Sequence, residues 1–161
     1  DYYNEQQHIS SMKRSGLMMS GGQAAWLGNK EFEMEDDGVL LADEISHMDL
    51  KQTDLVVLSA CQTALGDIDN SAEGVFGIQR AFKLAGVNSL LLTLGKVDDK
   101  ATQLFMTHFY QQLLSGNSKH DSYRSAQEYV RNYEYKRDGQ NMDYSHPRYW
   151  APFVLLDAIN R

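Results

Sequence analysis

The chain carries one cysteine, five histidines and 22 acidic residues, and the cysteine is the natural place to look for chemistry. Cys61 ends the aliphatic run Leu55-Val56-Val57-Leu58 through the small residues Ser59 and Ala60, and Gln62-Thr63-Ala64-Leu65-Gly66 follows it. A thiol with an ordinary pKa near 8.5 becomes a good nucleophile when a base or a positive end lowers that value. Burial as a small hydrophobe is the competing reading of an isolated cysteine. The histidines offer little else: His47 falls in a turn, His108 on a helix, His120 in a loop and His146 before a proline.

Composition narrows the field. A chain of 161 residues, 42% hydrophobic and 23% charged, is long enough for one domain with a real core. Its formal charge of −7 does not supply the basic surface that nucleic acid or an anionic membrane requires. A single cysteine forms no internal disulfide, and no Cys/His spacing fits structural zinc, so a reducing, cytoplasmic setting is expected. No apolar run approaches the roughly 18 residues that span a bilayer. The first residue is Asp1, so the sequence reads as a piece of a longer chain with part of the site upstream.

The elements that must position the thiol follow from pattern. Residues 1–13 lack any core period and read as a loop or loose lead-in, and 14–161 as the domain. Leu17-Met18-Met19 before Gly21-Gly22 fits a short strand and turn, and the acidic run 31–37 a solvated loop. Val39 to Ile45 reads as a short helix or extended piece, and about 54–60 as the central strand. Val75, Ile78, Phe82 and Ala85 mark one face of a helix closed by Gly86. Asn88 to Leu94 is a second apolar strand. Strand, helix, strand with both strands apolar predicts parallel pairing in a covered sheet. Asp98-Asp99 open a helix through Leu104, Phe105, His108, Phe109 and Leu113, ended by Gly116. A further helix is predicted from Asp121 to about Tyr135 with Tyr123, Ala126, Tyr129 and Val130 inside. Residues 136–146 read as a polar loop, 146–152 as extended by two prolines, and 153–156 as a closing strand. Ligands of open parallel sheets bind outside the carboxyl ends of the strands, where Cys61 falls.

Several motifs stand in one order along the chain: Arg14-Ser15-Gly16-Leu17, Asp37-Gly38-Val39-Leu40-Leu41-Ala42-Asp43-Glu44-Ile45, Leu55 through Thr63, Glu73 through Phe82 with Ala85-Gly86, Lys96-Val97-Asp98-Asp99, and Tyr149-Trp150-Ala151-Pro152-Phe153. Together they resemble CHAT domains, the caspase-like peptidase domains often attached to tetratricopeptide repeats. The resemblance covers about residues 14–157. It implies an α/β, caspase-like three-layer sandwich with a mostly parallel central sheet, related to separases and caspases, its N-terminal part missing here.

What the resemblance implies for chemistry is peptide-bond hydrolysis by a Cys/His pair, without metal or cofactor, on a protein or peptide substrate. Cys61 takes the nucleophile's position. The family's histidine stands in an upstream His-Gly motif, and no histidine of this chain precedes a glycine. His8 precedes Cys61 by 53 positions, close to the generic spacing of about 50 residues. It lacks both the strand and the glycine, so the base is expected upstream of Asp1 and this piece alone is expected to be inactive. Gln62 and Glu73 border the site, and Gly95, Lys96, Asp98 and Asp99 wall the pocket for the residue before the cut. The family commonly has tryptophan at the place of Gly95, and separases an acid at that of Lys96, which leaves the pocket's shape and any preference for basic residues open. Helix capping is the alternative role for Asp98 and Asp99. Two functions remain: a cysteine endopeptidase controlled by an attached sensor or repeat region, and a non-catalytic interaction module of the same fold.

Overall fold

The computed structural model describes residues 12, 15–19, 22, 38–59, 71–95, 97–137 and 140–157. The elements in chain order are β1 (Gly16–Met18), β2 (Val39–Leu41), α1 (Ala42–Ser46), β3 (Leu55–Leu58), α2 (Ser71–Leu84), β4 (Ser89–Thr93), α3 (Asp99–Leu114), α4 (Lys119–Arg131), β5 (Glu134–Arg137), β6 (Gln140–Asp143), a 3-10 turn (Pro147–Tyr149) and β7 (Phe153–Asp157). Among the described residues three small sheets form, ordered β1-β2, β3-β4-β7 and β5-β6. The chain divides into two compact units, one of residues 1–56, 62–90 and 157–161, the other of 57–61 and 91–156.

In the first unit β1 and β2 pair antiparallel, Gly16 opposite Leu41 and Met18 opposite Val39. The chain then turns at once into α1. The Ala42 N–H donates to Ser15 O at 2.8 Å, and the Leu41 N–H to Glu44 Oε2 at 2.7 Å, satisfying donors that a helix start leaves orphaned. Thus the predicted "helix or extended piece" at Val39–Ile45 is both in succession. Ala42 and Ile45 are buried, and α1 packs on α2, whose Ile78, Ala81 and Phe82 are buried together with the following Ala85. Gly86 ends that helix with φ 98°: its N–H donates to Lys83 O at 3.2 Å, and the Val87 N–H to Phe82 O at 3.1 Å. This paired C-cap needs a left-handed residue. A Cβ there would also meet Lys51 Cγ at 2.7 Å. The cap hands the chain to β4, and Asn88 and Ser89 donate to Thr53 O and Asp54 O at 3.2 and 3.0 Å, setting the start of β4 against that of β3.

In the second unit α3 and α4 pack together around aromatic side chains. Asp98 caps α3 and Ser118 caps α4, with the Asp121 N–H donating to Ser118 Oγ at 3.0 Å. Phe105 and Phe153 stack with centroids 3.9 Å apart and planes within 5°, Phe109 lies beside them, and Tyr123 meets Phe105 edge-on. The Tyr123 hydroxyl donates to Phe153 O at 2.8 Å, which joins α4 to β7. Burial raises the Tyr123 pKa, opposed by a hydrogen bond with Gln127. The Leu94 N–H donates to Pro152 O at 2.8 Å just beyond β4.

Four expectations fail. The helix predicted to run to about Tyr135 ends at Arg131, and strand β5 begins at Glu134. Residues 136–146 are not loop alone: β5 and β6 pair antiparallel with Glu134 opposite Asp143. Both strands are polar, so no alternation betrays them, although Asp138-Gly139 between them is a hairpin-turn dipeptide. The segment at Pro147 is a 3-10 turn rather than extended, because proline's fixed φ suits a first helical position as well as a strand. The inner face of α4 is Ser122, Ala126 and Val130, while Tyr129 is exposed. The stacked pair at the centre of the second unit generates a test. Phe105→Ala is expected to cost about 3–5 kcal/mol in urea unfolding, and a loss under about 1 kcal/mol would mean that the ring does not organise this core.

Candidate functional site

Cys61, Gln62, Lys96 and His8 lie outside the described residues, and Glu73 falls within α2 with its side chain outside them. What the structure defines is the frame around them. β3 is half-buried along its length and ends at Leu58, two residues before Ala60, with Ser59 already exposed. Every residue of β4 is buried, and exposure begins abruptly at Leu94 and Gly95. Gly95 adopts φ 90°, and a Cβ built there meets nothing within 4 Å among the described residues. A side chain at this position would therefore be resisted by backbone conformation and not by crowding.

Beyond Gly95 the chain turns inward at buried Val97 and then caps α3. Asp98 Oδ1 accepts from the Ala101 N–H at 2.9 Å, and Thr102 Oγ1 donates to Asp98 O at 3.1 Å. Asp99, exposed in the first turn, faces the positive end of the helix. These contacts make Asp98 the N-cap of α3. Asp98 has a second neighbour that no sequence pattern points to, Tyr144, whose pKa its carboxylate helps to raise. Tyr144 is 3% exposed and packs against Tyr133 and Tyr149 at 5.9 and 4.6 Å between ring centroids. Burial first, and then the adjacent Asp98 carboxylate, raise its pKa. Arg148 lies over the Tyr149 ring at 4.5 Å and donates to its hydroxyl. The Trp150 indole N–H donates to Ser145 O at 3.0 Å, so the closing Tyr-Trp motif is held by the segment just before it. In the sequence Tyr144 stands out only as an aromatic residue within an otherwise polar stretch.

The described histidines are mostly engaged locally. His47 Nδ1 lies 2.7 Å from Asp43 O at the end of α1. His146 Nδ1 accepts from the Arg148 N–H at 3.2 Å, capping the 3-10 turn. His108 Nε2 is 2.9 Å from Ser125 Oγ, and its ring stacks on Tyr129 at 4.3 Å. His120 is exposed. Among the described residues no three His, Cys, Asp or Glu side chains form a group able to hold a metal ion, and no helix is long and apolar enough to cross a membrane.

The family model of the CHAT domain matches residues 8–158. The chain belongs to the CHAT-domain family. It is 34% identical over 104 residues to tetratricopeptide repeat protein 28 of Mus musculus and 31% identical over 104 residues to its Homo sapiens counterpart. Each match covers 65% of this chain and 4% of the relative, so the CHAT domain described here spans a small part of those proteins' length. No solved structure matches. Buried Tyr144 in this CHAT domain has a pH signature. The folded state holds the Tyr144 proton more tightly than the unfolded chain does. Its stabilising contribution is therefore intact below the ordinary tyrosine value near 10 and is lost as pH rises through the folded value. Urea unfolding from pH 9 upward is expected to show a shallower alkaline loss for Tyr144→Phe than for the parent. Identical pH slopes would contradict the assignment.

Proposed function

We propose that this CHAT domain is the cysteine endopeptidase part of a longer, repeat-containing protein, with Cys61 as nucleophile. One observation carries the reading: the lone thiol follows β3 by three residues in a chain whose motifs run in CHAT-domain order across the family match. A caspase-like three-layer arrangement with a mostly parallel central sheet accompanies it. The Asn88–Thr53 and Ser89–Asp54 bonds, which advance in the same direction along both segments, support that pairing of β3 and β4. The Cys61 thiolate attacks the scissile carbonyl carbon, and the carbonyl electron pair moves onto oxygen to give a tetrahedral intermediate that backbone amides stabilise. Collapse breaks the C–N bond, and the amine leaves with the proton that the histidine base took from the thiol. Water, deprotonated by the same base, then cleaves the thioester and returns the thiol. In this reading the histidine is supplied by the full-length protein, and His8 is the poorer candidate because isoleucine and not glycine follows it.

Gln62 and Glu73 border the site in this reading, and Gly95, Lys96 and Asp99 edge the pocket for the residue before the cut. Asp98 contributes through the start of α3 and not as a free specificity acid, since its carboxylate is engaged by Ala101. The attached repeats, present by name in the two relatives, supply regulation.

A second reading, a non-catalytic interaction module in a repeat protein, is favoured by one observation. Gly95 itself offers no bulky wall for a substrate side chain. The two part on a single experiment with full-length protein and a partner it processes. The peptidase reading expects Cys61→Ala to abolish cleavage and labelling by a peptidyl acyloxymethyl ketone while partner binding persists. Cleavage undiminished in Cys61→Ala would overturn it.

A further inference from the structure

Between the 3-10 turn and β7 the chain runs through Pro152, which has no N–H to give. Three carbonyls around it receive donors from elsewhere in the second unit. Trp150 O accepts from Gln127 Nε2 at 3.3 Å and Phe153 O from the Tyr123 hydroxyl at 2.8 Å. Pro152 O, between them, accepts from the Leu94 N–H at 2.8 Å. Tyr123 and Gln127 stand four residues apart on α4 and so share one of its faces. Both side chains are half-buried, where competition from water for these bonds is weaker than on the surface.

Helix α4 therefore grips this segment on both sides of the carbonyl that holds the end of β4. The chain changes character at that end. Thr93 is buried, Leu94 is 48% exposed, and Gly95 turns with φ 90° before Val97 goes inward and Asp98 caps α3. The Leu94 bond is made immediately before the turn, so a displacement of Pro152 O moves the point at which the turn begins. We propose that Tyr123 and Gln127 are positioning residues, which hold Pro152 O and through it the Leu94–Gly95 exit from β4. The functional consequence rests on the peptidase reading, in which that exit edges the pocket for the residue before the cut. The two side chains then act on how tightly substrate is held and not on the step at the thiol.

The test is hydrogen exchange by mass spectrometry on the full-length protein, comparing the parent, Tyr123→Phe/Gln127→Leu and Val130→Ala. The double variant keeps the ring that meets Phe105 edge-on and removes only the two donors. Val130→Ala takes buried volume from the same helix and touches neither bond. Exchange of residues 92–97, expressed relative to residues 101–109 of α3, is expected to rise about tenfold in the double variant and to stay at the parent ratio in Val130→Ala. Labelling of Cys61 by a peptidyl acyloxymethyl ketone is expected to need about five times the concentration for half-maximal rate, with the maximal rate retained. An exchange ratio equal to the parent's or matched by Val130→Ala overturns the proposal, as does an unchanged half-saturating concentration. A parent that does not label at all contradicts the peptidase reading instead, and the exchange ratio still decides the positioning. If the double variant unfolds, Tyr123→Phe alone is read by the same ratio.

Discussion

Strand β4 is the constraint on which the described structure turns. It lies between β3 and β7 in its sheet, and all five of its residues are buried. A strand paired along both edges and covered on both faces has little freedom to slip, since a one-residue shift would exchange the residues on its two faces. Its start is set by the Gly86 cap and by the backbone bonds to Thr53 and Asp54. Its end is set by the bond from Leu94 to Pro152 and by the turn inward at Val97. The transition from buried Thr93 to exposed Leu94 and Gly95 therefore falls at a definite place. The same bonds align the start of β3, four residues long, whose end at Leu58 precedes Cys61 by three positions.

From that end the second unit is tied together by polar and aromatic contacts in series. Asp98 terminates the loop and starts α3, and it also acts on Tyr144 beyond the β5–β6 hairpin. Tyr144 continues through Tyr133 to Tyr129 and His108 on the far side of α3 and α4. One carboxylate thus caps the helix and acts electrostatically on the first ring of an aromatic row. Charge removal there would disturb both, which is a structural reason for an acid at this position beside any role in substrate recognition.

The elements legible in the sequence are those whose local chemistry and burial agree. Gly86 and Gly116 mark helix ends because a left-handed C-cap is the conformation glycine allows most cheaply, and both carry it, with φ 98° and 90°. Asp98 marks a helix start, and Leu55–Leu58 and Ser89–Thr93 read as strands because they are short, aliphatic and bounded by turn residues. The β5–β6 hairpin escapes such a reading because its strands are polar and carry no hydrophobic alternation. Tyr129 is misplaced by it because a tyrosine at helical spacing reads as core, yet its partner is the half-buried His108 and it is itself exposed. Of the site, Cys61 stands out by its position after a strand and by the family motifs around it. The Asp98–Tyr144 pair joins residues 46 positions apart, a distance at which spacing carries no signal.

Peptidase function depends on whether the position after β3 activates a thiol. A structural cysteine and a nucleophile differ in one measurable property, the pH at which the thiolate forms. Carboxamidomethylation of Cys61 in the full-length protein, followed from pH 5 to 10 by mass spectrometry of the peptide containing it, reads that property directly. For a peptidase nucleophile the prediction is an apparent pKa below the free-thiol value near 8.5 and alkylation at pH 6.5 faster than in the urea-unfolded chain. A midpoint at or above 8.5 with no advantage over the unfolded chain would contradict it.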